Sequence, residues 1–170
     1  KSPVGEARDL DEKENLLIYS YDAWMGRSQP EVVLFPVTTE EVSKIMIVAT
    51  REKIPVTARG AATNLTGGSV PIRGGIALTF TKMNKILGID KENRVAVVQP
   101  GVVNMDFQKE LAKYGLYYPP DPGSMAVTTM GGNVAENAGG PRAVKYGVTK
   151  DYLLGMEVVL ASGQILRTGG

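Results

Sequence analysis

Two stretches of this chain carry residue types suited to holding a polar ligand. The longer runs from Pro119 to Gly140, Pro-Pro-Asp-Pro-Gly-Ser-Met-Ala-Val-Thr-Thr-Met-Gly-Gly-Asn-Val-Ala-Glu-Asn-Ala-Gly-Gly. Its five glycines, Gly123, Gly131, Gly132, Gly139 and Gly140, sit among small or amide-bearing residues, and only Asp121 and Glu136 are charged. Such a segment cannot stabilise itself by burying apolar area, so neighbours or a closely approaching ligand must hold it. The shorter stretch, Arg59-Gly-Ala-Ala-Thr-Asn-Leu-Thr-Gly-Gly-Ser69, has the same character. Bare successive amide N–H groups form concavities suited to anions and to polar cofactor edges. The plain alternative is a pair of Gly/Pro-rich surface loops.

The first loop leaves a strand, as phosphate loops do, but its spacing excludes two familiar versions. There is no Gly-x-x-x-x-Gly-Lys-Ser/Thr and no Gly-x-Gly-x-x-Gly opening a helix. What remains is Arg59, then small Gly60, Ala61 and Ala62, then hydrogen-bonding Thr63 and Asn64. Amides over Gly60 to Asn64, with the Thr63 hydroxyl, can chelate a pyrophosphate without a lysine. An ordinary surface arginine accounts for Arg59 equally well, and turn chemistry accounts for Asn64 and Gly67-Gly68. In the second loop Thr128 and Thr129 offer hydroxyls just before Gly131-Gly132. Asn133 to Asn137 reads as one or two helical turns whose N-terminus faces a ligand. Pro119 and Pro120 stiffen the approach, Asp121 accepts from a ligand or caps the turn, and Tyr146 closes the segment, from composition alone as a buried structural tyrosine.

Composition narrows the chemistry further. Hydrophobic residues make up 43% and charged residues 22% of the 170, and the net charge of +1 without a Lys/Arg run argues against nucleic acid as partner. Cysteine is absent, which removes disulfides and thiolate chemistry, and histidine is absent too, which removes the usual general base and metal ligand. No apolar stretch long enough to span a membrane occurs, so a soluble, cytoplasmic protein is the default expectation. The chain starts without Met and stops straight after a strand-like run, which reads as a fragment.

The elements that must position the loops follow from periodicity. Residues 1–30 form a covering segment, with a short helical turn near Leu16 and Trp24 packed on the body. Val32–Phe35 reads as a strand, and Thr38 with Glu41 as a capping box before a helix whose stripe is Val42, Ile45, Met46 and Ala49. Val56–Arg59 completes a compact parallel βαβ unit that runs into the first loop, and Ile76–Phe80 is a third strand. Lys85–Ile89 and Arg94–Val98 form a hairpin, and a helix spans about Met105 to Tyr114 with Gly115 as its stop. Gly155–Ala161 and Gln164–Arg167 form a second hairpin. The expected fold class is α+β with two lobes. Residues 31–84 make a small parallel α/β lobe, and 85–170 make a mostly antiparallel lobe with helices.

Arg59-Gly-Ala-Ala-Thr-Asn-Leu-Thr-Gly-Gly, Gln99-Pro-Gly-Val, Tyr118-Pro-Pro-Asp-Pro, Gly131-Gly-Asn-Val-Ala-Glu-Asn-Ala-Gly-Gly140 and Leu153-Leu-Gly-Met-Glu-Val-Val-Leu-Ala-Ser-Gly together resemble a known family. It is the FAD-binding (PCMH-type) domain of the vanillyl-alcohol oxidase superfamily, and the likeness is greatest to its glycolate oxidase and FAD-linked D-lactate dehydrogenase branch. The likeness covers about Glu31 to Gly170. It implies that Gly60 to Asn64 with Gly68 and Ser69 hold the FAD pyrophosphate. It also implies that Thr128, Gly131, Gly132, Asn133, Ala135, Gly139 and Gly140 line the cofactor, with Arg59, Pro120, Asp121 and Tyr146 as further candidates. Ala61 and Ala62 stand where the family usually has glycine. Some relatives attach flavin through a histidine at the position of Thr63 or through a cysteine; neither residue type exists here, so the resemblance implies noncovalent FAD.

The implied function is the FAD-binding part of a 2-hydroxyacid oxidoreductase, in which the flavin accepts the electrons and passes them to an acceptor, with an electron-acceptor subunit as a possible partner. In this branch the substrate domain, the metal-binding histidines and the catalytic base follow the residues matched here, so no catalytic or metal-binding residue is assigned. Two other readings stand beside it. One is a stand-alone FAD or nucleotide module without turnover, and the other is an NADPH-oxidising reductase of the same superfamily.

Overall fold

A computed structural model of the chain describes residues 8–169; the first seven residues of the expected covering segment lie outside them. The chain divides into two units. One comprises the described residues up to Lys82 together with those from Leu154 onward, and the other is Met83–Leu153.

The first unit is built on strands β1 (Asp9–Leu10), β2 (Val32–Leu34), β3 (Val56–Arg59) and β4 (Ile76–Thr79), in the order β1-β2-β4-β3. Strands β2, β4 and β3 are parallel, and β1 runs antiparallel to β2. Strands β2 and β3, the two strands of the expected βαβ unit, are separated in the sheet by β4. All four β4 residues are buried, and a strand apolar on both faces is most stable in the centre of a parallel sheet. One sheet face packs Val33, Phe35 and Ala77 against Leu16, with Leu10 and Tyr19 alongside. Leu16 closes α1 (Lys13–Leu16), which continues as a 3₁₀ turn over Leu17–Tyr19.

Helix α2 (Thr39–Arg51) begins where expected. Thr38 Oγ1 accepts from the Glu41 N–H at 3.2 Å. The Glu41 carboxylate reaches back to the Val37 N–H at 2.8 Å and takes a two-pronged bond from Arg8, both prongs 2.6 Å. The Arg8 bond is the chief reason that its carboxyl lies below the usual carboxylate range. Val42, Ile45 and Ala49 are buried, as the stripe predicts.

Strands β5 (Ile86–Asp90) and β6 (Val95–Val98) open the second unit as an antiparallel hairpin with an irregularity between Ile86 and Gly88. The Asp90 carboxylate accepts from the Asn93 N–H at 3.0 Å and pins its turn. Helix α3 (Asn104–Ala112) stops before Gly115, whose φ of +70° makes the turn glycine favours. The core joins Val102, Phe107, Leu111, Tyr118 and Met130 to Ile86, Ile89, Ala96 and Val98 of the hairpin. Two short helices follow, α4 (Met130–Glu136) and α5 (Ala143–Tyr146).

Strands β7 (Gly155–Val159) and β8 (Ile165–Gly169) pair antiparallel, as expected. Chain order groups this hairpin with residues 85–153, whereas it belongs to the first unit. The reason is a row of polar contacts along α2. Thr39 Oγ1 donates to Glu157 at 2.6 Å, Ser43 Oγ to the Gly163 carbonyl at 2.6 Å, and Thr50 Oγ1 to the Ala161 carbonyl at 2.5 Å. Hairpin periodicity reports a face, but not which neighbour covers it. Among the described residues, no helix is long and apolar enough to cross a membrane.

Candidate functional site

Strand β3 delivers the chain into the first loop at Arg59. Beyond it, the backbone N–H groups of Ala61, Ala62, Thr63, Asn64 and Leu65 find no protein acceptor among the described residues. Neither does the Thr63 hydroxyl. Five successive unpartnered amides on a surface loop are unusual, because most backbone donors are paired within the protein. Ala62 has φ +54°, the left-handed region, which costs a residue with a Cβ of the order of 1–2 kcal/mol.

The side chains that shape this loop face inward. Asn64 Nδ2 donates to Asp22 at 2.6 Å and to Thr66 Oγ1 at 3.0 Å, while its Oδ1 accepts from Ser69 Oγ at 2.8 Å. The Asn64 carbonyl accepts from Ala23 N–H at 3.1 Å, and the Gly68 N–H donates to Thr66 Oγ1 at 3.2 Å. Arg59 is buried. Its guanidinium donates to the carbonyls of Tyr21 at 2.7 Å, Ile18 at 3.2 Å and Tyr19 at 3.4 Å, and lies 5.4 Å from the Tyr19 ring centroid. Burial lowers its pKa from the ordinary arginine value. Neither a surface arginine nor a phosphate ligand describes these bonds: Arg59 laces the loop's root to residues 18–21.

In the second unit, Pro120 is fully buried and its carbonyl accepts from Asn104 Nδ2 at 3.4 Å and Gln108 Nε2 at 3.3 Å. Asp121 accepts from the Arg142 N–H at 3.1 Å and pairs with the Arg142 Nε at 3.3 Å, so it braces the loop's two ends. Helix α4 starts at Met130, three residues before the expected turn, with Thr129 as its cap. Its first amides are all used. Met130 donates to the Val102 carbonyl, Gly131 to Pro100, Gly132 to Thr129 Oγ1 at 3.4 Å, and Asn133 to the Thr129 carbonyl. The expected helix N-terminus facing a ligand is therefore closed, because Val102 and Pro100 take its first two donors and Thr129 the next two. The N–H groups of Gly139 and Gly140 have no protein acceptor among the described residues.

The remaining candidates separate by exposure. Thr128 is buried and donates to Asn133 Oδ1 at 2.9 Å; the Asn133 Nδ2 is enclosed without a partner among the described residues. Ala135 is exposed. Tyr146, read from composition as buried, is 41% exposed because α5 lies on the surface, with Lys145 4.9 Å from its ring centroid. A Cβ built on Gly132 meets only Thr129 Oγ1 at 3.3 Å, whereas one on Gly131 lies 2.6 Å from Pro100 Cβ and one on Gly140 lies 2.1 Å from the Asp121 carbonyl oxygen. A Cβ at Gly132 is therefore crowded only by one hydroxyl, whereas the space at Gly131 and Gly140 is filled by Pro100 and by the Asp121 backbone.

Two residues with structural weight carry no mark in the sequence. Asp22 lies in a polar stretch without period, and nothing in one dimension ties it to Asn64. Asn104 is fully buried at the start of α3; its N–H donates to the Thr128 carbonyl at 3.0 Å while its side chain reaches Pro120. The signal available is an asparagine at a helix start, a position that reads only as capping chemistry. Among the described residues, no group of three acidic, histidine or cysteine side chains is placed to hold a metal ion.

A loop of amides unpartnered among the described residues suits a phosphate-bearing cofactor in the first unit; in the second, the N–H groups of Gly139 and Gly140, likewise unpartnered, suit a polar one. The family model described as "FAD binding domain" matches residues 30–169. Glycolate oxidase subunit GlcD of Bacillus subtilis (strain 168) is 50% identical over 161 residues, which are 94% of this chain and 34% of that protein. D-lactate dehydrogenase of Anaerostipes hadrus is 52% identical over 144 residues, 85% of this chain and 30% of that protein. The chain therefore spans about a third of the length of these relatives. A solved alkyldihydroxyacetonephosphate synthase superposes with a TM-score of 0.88 at 22% identity, covering 96% of this chain and 32% of that one, which speaks for the fold alone. With the family model matched over most of its residues, the chain belongs to the FAD binding domain family.

Proposed function

We propose that this chain is the FAD-holding part of a flavoprotein that oxidises a small 2-hydroxyacid. The observation that carries the cofactor half of this reading is the run of amides from Ala61 to Leu65 and the Thr63 hydroxyl, all without a partner among the described residues. A pyrophosphate supplies the acceptors that such a run lacks. In the second loop the N–H groups of Gly139 and Gly140, unpartnered among the described residues, offer donors to a polar part of the cofactor. The substrate half is supported by the names of the relatives, a glycolate oxidase subunit and a D-lactate dehydrogenase.

Bound FAD supplies a two-electron acceptor. The residues described here bind and orient it: the first loop takes charge on its amides, Asp121 and Arg142 brace the second, and Pro120 is fixed by Asn104 and Gln108. The sequence contains neither histidine nor cysteine, which supports noncovalent attachment. A separate electron acceptor and a cytoplasmic location belong to the same proposal, and co-purification and cell fractionation decide them.

The test is FAD binding by the chain and by Gly132→Val. The chain should quench FAD fluorescence on titration and release all its flavin to the supernatant on acid precipitation. Gly132→Val should fold, because its Cβ meets only the Thr129 hydroxyl at 3.3 Å and no backbone, and lose FAD. Normal FAD binding by that variant would misplace the site, and flavin retained in the acid pellet would refute noncovalent attachment.

A further inference from the structure

Residues 18–24 precede the span matched by the family model, which begins at residue 30, yet a dense set of bonds laces them to the first glycine loop. Arg59, at the root of the loop, bonds the carbonyls of Ile18, Tyr19 and Tyr21. At the crown, the buried Asp22 carboxylate accepts from Asn64 Nδ2 through one oxygen and from the Trp24 N–H, at 2.8 Å, through the other. The Ala23 N–H takes the Asn64 carbonyl, and the Trp24 ring lies against Gly67, where an added Cβ would sit 3.0 Å from it. The hydrogen bonds among these contacts hold the loop by its side chains and the Asn64 carbonyl, and all of the contacts leave the amides of Ala61 to Leu65 unpartnered among the described residues.

We infer that Asp22 is a positioning residue for the cofactor's phosphates: it holds Asn64, and through Asn64 the run of free amides, in the conformation that receives an anion. This rests on the FAD reading above. The physical reason is entropic. A glycine- and alanine-rich loop with five unsatisfied donors is ordered either by its ligand on binding or by the protein beforehand, and ordering it beforehand removes that cost from binding. Asp22 does not have to meet the cofactor. Its carboxylate is occupied by Asn64 and Trp24, and a second negative charge facing a phosphate would weaken binding.

The experiment titrates FAD and riboflavin, which lacks phosphate, into the unaltered chain, Asp22→Ala and Asp22→Asn, with thermal melts of each protein alone. Asp22→Ala should weaken FAD about tenfold or more, the range set by losing hydrogen bonds to a charged group, while riboflavin affinity holds. Asp22→Asn keeps one acceptor oxygen and should recover part of the loss; if Asp22→Ala does not fold, the FAD-to-riboflavin ratio of Asp22→Asn is read in its place. Unchanged FAD affinity in the variants overturns the positioning role, and so does an equal weakening of both flavins, which reports general damage. Failure of the unaltered chain to bind FAD at all overturns the FAD reading and this inference with it; normal binding by the unaltered chain separates the two.

Discussion

The two glycine loops look alike as sequence and are built in opposite ways. In the loop from Arg59 to Ser69 the polar side chains other than Thr63 are consumed, and a run of backbone amides is left without protein partners among the described residues. Asn64, Ser69 and Arg59 all bond inward, while five consecutive amides find no protein partner among the described residues. In the loop from Pro119 to Gly140 the backbone is largely consumed at the start of α4, and glycine serves close packing. Gly131 lies on Pro100, and Gly140 lies on the Asp121 carbonyl. A run of glycine is thus two different signals. One is a surface of bare donors that awaits an anion. The other is the removal of a Cβ so that two backbones can touch.

The largest effect that tests this contrast is expected at Gly140. A Cβ there meets backbone, which cannot swing away, so Gly140→Ala should cost stability at the upper end of the roughly 1–3 kcal/mol typical of overpacking. Gly132→Ala meets only the Thr129 hydroxyl and replaces glycine within a helix, so it should change stability little or raise it by up to about 1 kcal/mol. Thermal or urea melts of the two variants compare them directly. Equal destabilisation would show that the second loop is not divided between a glycine packed on backbone and one crowded only by a hydroxyl.

Next in size is Asn64→Ala. It strips the buried Asp22 carboxylate of one donor and Ser69 of its acceptor, and unsatisfied buried groups cost about 1–3 kcal/mol. Stability should fall by that order in a urea melt, and Ser69→Ala should cost less, because the Asn64–Asp22 bond survives. A neutral Asn64→Ala would mean that the first loop is held by its ligand alone, and the contrast with the second loop would collapse.

Much of this was legible in one dimension, and the failures share a cause. Strand β2, the Thr38 cap, the α2 stripe and the Asp90 turn are local, written in residues within a few positions of one another. The FAD binding domain family was legible too, because its motifs are runs of sequence. What one dimension withheld were partners distant along the chain. They include the insertion of β4 between β2 and β3, the hairpin β7–β8 along α2, and the hold of Arg59 on residues 18–21. The early start of α4 belongs here as well. Gly131-Gly132 reads as a helix breaker by propensity, and it becomes helix because Pro100 and Val102 accept the first two donors.

The smallest effect sharpens the contrast most finely, because it exchanges one methyl for one hydrogen on the free-amide side. Ala62 holds φ +54°, where a Cβ crowds the following carbonyl at a cost of about 1–2 kcal/mol. Ala62→Gly relieves that strain but gives the unfolded chain more freedom, which costs roughly 0.5–1 kcal/mol. The net should be a gain of the order of 0.5 kcal/mol in a urea melt, by difference of those two figures. FAD affinity should stay within about threefold, since the amides already stand free and Asp22 still fixes the crown through Asn64. The reverse pattern, a loss of stability with much tighter FAD, would mean that the methyl of Ala62 holds the empty loop in place and stands in the cofactor's way.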